Sequence, residues 1–263
     1  MKPKKVIGSI AFAVGLLLLW QLLYVIFVDW LALAKPYAVP HPAGVWESFI
    51  TLLSDGTLFS AIGNSMLRVL AGFGIAIIIG AILGILIIQS RYLETNLKPV
   101  LLGIQTLPSI CWVPFAILWF GLTESAIIFV VIMGSAFGIA IGVENAVKNV
   151  PPYYIKVAQT MGITKSKLYR KVILPAILPS LIGTLKQGWS FAWRALMSGE
   201  VMSASVGLGY TLMIGRDLAD INQVMTVMIV IILLGIIFDK GIFSTWENYL
   251  LRKRGLGEKN TQS

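Results

Sequence analysis

Long runs of apolar residues without charge dominate the chain. A transmembrane helix needs about 20 such residues to cross the ~30 Å hydrocarbon core of a bilayer. The second run begins upstream near Ala61 and therefore includes Arg68. Lys186 and Arg194 interrupt the fifth. Together the runs predict an all-α polytopic membrane protein with six transmembrane helices at Val6–Val28, Val69–Ile88, Val100–Phe120, Ser125–Val143, Ile177–Gly199 and Ile221–Phe238.

The first run could be mistaken for a secretory signal peptide, because lysines precede it and Ala32-Leu33-Ala34 follows it like a cleavage site. Its apolar stretch covers 23 residues, whereas signal peptides have apolar stretches of about 7–15 residues. An uncleaved first span is therefore the preferred interpretation.

The basic residues between the predicted spans fall mostly on one side of the membrane. If the N-terminus is inside, fifteen of the 21 Lys and Arg lie in inner segments and only Lys35 and Arg216 lie in outer ones. Inner loops of membrane proteins are enriched in basic residues. The distribution predicts a multi-pass protein of the cell membrane (plasma or inner membrane) with both termini in the cytoplasm.

Composition supports this assignment and removes several classes of function. Only 13% of residues are charged, against about 25% in soluble proteins. The net charge of +9 comes from the basic inner loops, which face membrane lipid headgroups. No nucleic-acid partner is therefore expected. A single cysteine, Cys111, excludes an intramolecular disulfide and a cysteine-cluster metal site, and a single histidine, His41, excludes a histidine-rich metal site.

The inner loop at residues 144–176 has the pattern of two short helices. Pro151-Pro152 ends the fourth span, and Tyr153–Met161 predicts a helix that Gly162 can stop. Thr164 can cap a second helix that extends to about Tyr169. Pro175 and Pro179 are then expected to bend the chain into the fifth span.

Two outer segments also carry structural signals. Val45–Leu53 predicts a short amphipathic helix at the membrane surface, ended by Asp55-Gly56. Glu200–Asn222 is rich in glycine and serine and predicts a re-entrant or gate-like turn.

The inner loop also carries a spaced motif. Lys156-Val157-Ala158 is followed after three residues by Gly162, and after nine more by Val172-Ile173-Leu174-Pro175. This resembles the signature E-A-A-x3-G-x9-I-x-L-P of importer-type ABC permeases. Lys156 stands where the signature has an acidic residue and Val157 where it has alanine, but the spacing is kept.

Further runs extend the resemblance over nearly the whole chain and are similar to the nitrate/sulfonate/taurine branch of that family. Asn64–Phe73 begins the second span and Trp112–Gly121 ends the third. Gly188–Arg194 lies within the fifth span, and Gly207–Tyr210 follows the fifth span.

The resemblance implies one permease domain over residues 1–263, with a type I ABC importer fold and no catalytic role. It implies a second permease copy in a homodimer, an ABC ATPase subunit, and an extracytoplasmic binding protein that delivers a sulfonate, taurine or nitrate. No G-x-x-x-x-G-K-[ST] run is present to cradle phosphates, so ATP and Mg are assigned to the partner and this chain is expected to bind no cofactor. The residues implied in ATPase coupling are Tyr154, Lys156, Val157, Ala158, Gln159, Thr160, Met161, Gly162, Leu174 and Pro175.

Ionisable residues inside a span are costly and need a reason. Arg68 and Lys186 could each extend toward an interface, and Arg68 could instead attract an anion near the pathway. Arg194 lies among Trp189, Phe191 and Trp193, six residues before Glu200, and is predicted to form a polar gate pair with Glu200 or to contact an anion.

The third span carries prolines that favour a kink, together with Gln105 and Ser109. Irregular backbone at membrane depth is tolerated beside protein or a water-filled cavity. The kink could therefore line the pathway or could simply serve packing. Glycines in the second and fourth spans are predicted to be packing seams. The pathway candidates are Arg68, Gln105, Ser109, Trp189, Arg194 and Glu200.

Three alternatives remain at this stage. A permease of the same family could carry another small solute, such as a heterocyclic precursor. A secondary transporter would need a coupling carboxylate within a span, and none is visible mid-span. A membrane-embedded enzyme would need a catalytic cluster, and the single histidine argues against one.

Overall fold

The computed structural model describes residues 3–33, 35–163 and 166–253, and within these ranges it contains helices and no β-strand. The α-helices, in chain order, are α1 (Pro3–Tyr24), α2 (Pro42–Ser54), α3 (Thr57–Gln89), α4 (Arg91–Gln105), α5 (Val113–Phe120), α6 (Glu124–Lys148), α7 (Pro152–Thr160), α8 (Ser166–Leu168), α9 (Leu174–Val201), α10 (Leu208–Asp217), α11 (Ile221–Phe238) and α12 (Thr245–Lys253). Wider π-helical turns at Val25–Trp30, Tyr169–Ile173 and Asp239–Ser244, and short 3₁₀ turns at Pro36–Ala38 and Ser109–Trp112, connect some of them.

The chain divides into two compact units, Met1–Asn64 with Val206–Ile232 and Ser65–Ser205 with Leu233–Ser263. In the first unit, the Thr226 hydroxyl of α11 donates to the Val45 carbonyl of α2 at 2.9 Å. The predicted amphipathic helix is confirmed as part of α2, since Val45 is buried while Trp46 is exposed. Gly56 follows α2 with a φ of +75°. The prediction that residues 1–263 form one permease domain stays a prediction.

Close helix packing builds the second unit. A Cβ atom added at Gly80 or Gly84 of α3 would lie 2.7 Å from a backbone carbonyl oxygen of α6. One added at Gly142 of α6 would lie 2.3 Å from the Thr184 side chain of α9. The predicted glycine seams are therefore confirmed at these positions. Gly74, in contrast, faces open space. The seams hold α6 between α3 and α9.

Four helical segments among the described residues are long and apolar enough to cross a membrane, and a bent helix pair, Arg91–Gln105 with Ser109–Phe120, raises the number to five if it counts as one span. The bent pair overlaps the third predicted span. The fifth predicted span lies within α9, which is long enough but less apolar than the four, because it holds Lys186, Arg194 and Glu200. The four segments coincide with the first, second, fourth and sixth predicted spans and cover Ala11–Trp30, Thr57–Gln89, Glu124–Lys148 and Ile221–Glu247.

The third predicted span is broken rather than merely kinked. The two halves of the bent pair meet at 99°. Pro108 has no N–H to donate and disfavours helical backbone in the residue before it. Helix α4 therefore ends at Gln105, and Pro114 lies in the first turn of α5, where a missing N–H costs little.

The segment after Glu200, predicted to be a re-entrant or gate-like turn, is largely helical in the structure. Ten of its residues form α10, which begins after Gly207. A tight turn follows, in which Ala219 has a φ of +55°. Local glycine and serine content indicated a turn, but it did not reveal the apolar residues that bury one face of α10.

Candidate functional site

An open cavity of about 330 Å³ lies beside the break between α4 and α5. The break supplies one wall, and α6 and α9 supply the others. Three of the predicted pathway residues, Gln105, Ser109 and Arg194, line it together. The sequence places Gln105 and Ser109 in the third span and Arg194 in the fifth, and the fold brings all three to one surface. The complete lining is Ile104, Gln105, Thr106, Leu107, Pro108, Ser109, Met133, Gly134, Phe137, Phe191 and Arg194.

Arg194 is held in place by its own helix. Its Nε donates to the Ser190 carbonyl at 3.3 Å and its Nη2 donates to the Ser190 hydroxyl at 3.2 Å. The guanidinium carbon lies 5.4 Å from the centre of the Phe191 ring, within the range of a cation–π contact. Among the described residues no carboxylate forms an ion pair with Arg194. The cavity therefore carries positive charge.

Neutral polar groups complete the cavity wall. The Ser109 hydroxyl lies 3.1 Å from the Ser198 hydroxyl of α9. The Gln105 side-chain oxygen is buried and has no hydrogen-bond partner in the described part of the chain. A buried amide oxygen without a partner costs free energy, so this position favours a water molecule or a solute that can donate a hydrogen bond.

Arg68 lies in a buried ion network instead. Its side chain is 4% exposed; Nη1 donates to Glu200 at 3.0 Å and Nη2 donates to Glu124 at 3.0 Å. The Ser65 hydroxyl lies 2.8 Å from both carboxylate oxygens of Glu200. Arg68 therefore ends on two carboxylates within the protein and does not line the cavity, and its place in the pathway stays a prediction.

The predicted pair between Arg194 and Glu200 is wrong as well. Six residues rotate an α-helix by about 600°, so the two side chains project from different faces of α9. Glu200 is fully buried and pairs with Arg68, while Arg194 is exposed. Helical rotation over six residues is therefore the sequence signal against this pair.

Trp189 also lies outside the cavity. It is 4% exposed and packs within an aromatic cluster, stacked on Phe238 at a centroid distance of 5.0 Å and edge-on to Phe73 at 5.4 Å. Its indole nitrogen is buried without a partner among the described residues. The contacts are those of a packing residue. Lys186 on the same helix pairs with Asp239 at 3.4 Å and donates to Ser244 at 3.1 Å.

The inner loop contains the predicted short helix. Helix α7 begins at Pro152, and Gly162 follows it with a φ of +74°. The Gly162 N–H donates to the Gln159 carbonyl at 3.0 Å, and the Ile163 N–H donates to the Ala158 carbonyl at 2.9 Å. These two bonds form a Schellman motif, which ends a helix sharply at a residue with positive φ.

Helix α7 buries one small residue and exposes larger ones. Ala158 is buried, whereas Tyr154, Val157 and Met161 are exposed, Met161 to 73%. Lys156, Gln159 and Thr160 are exposed as well. The role of these residues in coupling stays a prediction, because no partner is present to test it.

The second half of the loop differs from its prediction. Thr164, the predicted cap, lies outside the described residues. Helix runs without interruption from Ser166 through the π turn Tyr169–Ile173 into α9, so Pro175 and Pro179 do not separate a second short helix from the span. Pro175 is the second residue of α9 and directly follows the π turn. Leu174 is exposed and Pro175 is half-buried.

The structure buries one acidic residue that the sequence analysis did not single out. Glu144 of α6 has a fully buried side chain and pairs with Lys98 of α4 at 2.8 Å and with Lys148 at 2.7 Å. Lys148 also pairs with Glu94. Glu144 and Lys148 are four residues apart on a helix, a spacing that brings side chains together, and this was the available signal.

Comparison with known proteins places these features in a family. A family model described as the inner-membrane component of binding-protein-dependent transport systems matches residues 72–242. The chain is 33% identical to a putative aliphatic sulfonates transport permease of Escherichia coli, over 86% of this chain and 84% of that protein. It is 32% identical to a bicarbonate transport system permease of Synechococcus elongatus, over 75% and 71%. It is 26% identical to a nitrate import permease of Synechocystis, over 91% and 87%.

The fold is also found in solved structures. A chain from an inward-facing MetNI methionine ABC transporter superimposes with a TM-score of 0.60 at 22% identity, covering 75% of this chain and 95% of that one. At this identity the likeness shows a shared fold only. The family match over residues 72–242 and the identity to the sulfonate permease lead to one conclusion. The chain belongs to the family of inner-membrane components of binding-protein-dependent transport systems, the permease subunits of ABC importers.

Proposed function

We propose that this chain forms part of the translocation pathway of an ATP-driven importer for a small oxyanion of the sulfonate, taurine or nitrate class, delivered by a binding protein. The cavity beside the break between α4 and α5 carries the proposal, because Arg194 brings to it a positive charge without a described acidic partner. The names of the relatives support an anion, since they refer to sulfonates, nitrate and bicarbonate.

Arg194 suits an oxyanion for a chemical reason. A guanidinium presents several N–H groups in a planar fork that matches the oxygens of an anion. Ser190 and Phe191 hold the fork in position before a solute arrives, which lowers the entropy lost on binding. One arginine beside neutral groups such as Gln105 and Ser109 also gives a weak site, and a transport pathway must release its solute.

The proposed assembly has two identical permease copies, two ATPase subunits and an extracytoplasmic binding protein. Both termini of this chain lie in the cytoplasm, as its basic inner loops indicate. Helix α7 docks on the ATPase through the exposed residues Tyr154, Val157 and Met161. The ATPase binds ATP and Mg, and this chain binds no cofactor and performs no catalysis.

The first experiment tests the contribution of Arg194 to transport. The complete importer is reconstituted in proteoliposomes, and uptake of taurine, nitrate and an alkylsulfonate is measured. A hydrogen bond to a charged group contributes about 1.5–3 kcal/mol, so Arg194→Gln is expected to lower the uptake of the transported anion by about 10- to 100-fold.

Arg216→Gln is the matched control, because Arg216 is exposed, pairs with Asp217 and does not line the cavity. It should leave uptake unchanged. Equal uptake by wild type and Arg194→Gln would show that the cavity arginine does not contact the solute.

The second experiment tests the source of energy. The permease is expected to co-purify with an ATPase subunit, and uptake should stop when ATP is depleted and continue in the presence of an ionophore. Uptake that survives ATP depletion and is abolished by an ionophore would identify a secondary transporter instead.

A further inference from the structure

A second cavity in the unit Ser65–Ser205 with Leu233–Ser263 is long and apolar. It has a volume of about 490 Å³ and runs between α3, α6 and α9. Its walls are aliphatic side chains such as Ile85, Val143 and Leu181. The described residues that line it include neither an acidic residue nor any of the pathway candidates. The cavity is therefore separate in composition from the cavity that contains Arg194.

The length of this groove matches one leaflet of a bilayer. On α3 it extends from Ile77 to Gln89, a distance of about 18 Å at 1.5 Å per residue. Half of a ~30 Å hydrocarbon core is about 15 Å. Gln89 ends α3 and is followed by the inner segment, so the groove begins near mid-membrane and opens at the inner surface in the orientation given above.

The open end of the groove is basic and polar. Arg170 and Tyr169 line it, and both side chains are exposed. Lys167 and Lys171 are exposed neighbours in sequence. Basic residues beside an apolar groove on the cytoplasmic side favour an anionic lipid headgroup. The arrangement thus offers an apolar slot for an acyl chain and a cation for a phosphate.

We propose that this groove binds an anionic phospholipid of the inner leaflet, with one acyl chain between α3, α6 and α9 and the headgroup phosphate at Arg170. A helix of a second permease copy is the competing occupant. Helix α1 is apolar, but its first residues include Lys4 and Lys5 and it contains no acidic residue. In the same orientation it would bring like charges to Arg170, which favours the lipid.

A lipid in this groove would contact the segment that joins the inner loop to α9. Ile173 and Leu174 line the groove and connect the loop to α9. A bound acyl chain would pack against this connection. The inference rests on the proposed orientation, but lipid binding can be measured without transport. Failure of one proposal is therefore distinguishable from failure of the other.

Native mass spectrometry of the detergent-purified complex tests the headgroup contact. Phosphatidylglycerol and phosphatidylcholine with identical acyl chains are added, and the retained lipid is quantified. One basic residue near anionic headgroups changes binding by about fivefold. Arg170→Gln is expected to reduce the preference for phosphatidylglycerol by that factor. Arg91→Gln, an exposed arginine outside the groove, should keep the preference, and an unchanged preference in Arg170→Gln would overturn the assignment.

A second pair of variants tests the acyl-chain slot. Ala81→Trp fills the groove and is expected to reduce retention of both lipids equally, whereas Ile82→Trp, on an exposed neighbouring position, should not. A photoreactive residue at Leu181 should capture a lipid when the complex is illuminated in phosphatidylglycerol nanodiscs. Capture of a second protein chain at Leu181, or equal lipid retention in the two tryptophan variants, would refute the proposed site.

Discussion

The buried network around Arg68 supports a quantitative prediction about stability. Glu200→Gln removes one charge from a fully buried position, where the carboxylate pairs with Arg68 at 3.0 Å. Glu124→Gln removes the other charge that contacts Arg68, but the Glu124 side chain is 67% exposed. The two substitutions change the same atoms by the same amount in different surroundings, which makes Glu124→Gln the matched control.

The expected magnitudes follow from burial. Removing one partner of a buried ion pair costs about 3–5 kcal/mol, because the remaining charge loses its buried counter-charge. In Glu200→Gln, Arg68 keeps only the exposed Glu124 as a partner. An exposed pair contributes about 0–1 kcal/mol. Replacing both charges costs much less than the single changes together, so Arg68→Met combined with Glu200→Gln should recover part of the loss.

Thermal unfolding of the purified permease in detergent measures these differences. A protein of 150–250 residues loses roughly 2–4 °C in midpoint per kcal/mol, so Glu200→Gln should lower the midpoint by at least about 6 °C and Glu124→Gln by less than about 4 °C. The double variant Arg68→Met with Glu200→Gln should lose less than the summed midpoint losses of Arg68→Met and Glu200→Gln measured singly. Equal effects of Glu200→Gln and Glu124→Gln, or strict additivity in the double variant, would refute the reasoning.

Two further substitutions test the loop and the helix seams. Gly162→Val places a β-branched residue at a φ of +74°, which such residues rarely adopt, and should abolish solute-stimulated ATP hydrolysis while membrane insertion persists. Gly162→Asn, which tolerates this conformation, should keep most of the hydrolysis, and normal hydrolysis in Gly162→Val would count against the coupling role of α7. Gly80→Val would bring its Cβ to 2.7 Å from the Ala136 carbonyl oxygen and should lower the yield of folded permease in size-exclusion chromatography. Gly74→Val, which meets open space, should not, and similar yields from both variants would contradict the seam between α3 and α6.

Much of the architecture follows from local patterns in the sequence. Apolar runs of sufficient length predict the long helices, because a bilayer requires about 20 apolar residues per span wherever they occur. Gly162 and the prolines around α7 predict the short inner helix, because their backbone preferences act within a few residues. The resemblance to importer permeases depended on the spacing of Ala158, Gly162, Leu174 and Pro175, which is likewise read along the chain.

The pairing of the charges was decided only by the tertiary structure. Arg68 and Glu200 are 132 residues apart in sequence, and nothing local to either residue indicates that the two would meet. The same is true of the cavity, where Gln105 and Ser109 meet Arg194 because the chain breaks at Pro108 and α6 packs closely on α9. Hydropathy and turn preferences are properties of neighbouring residues, whereas burial and ion pairing depend on which helices pack together. The sequence by itself therefore determined the class of protein and its inner loop, and the packing of α3, α6 and α9 decided which arginine is buried in the fold and which one faces the cavity.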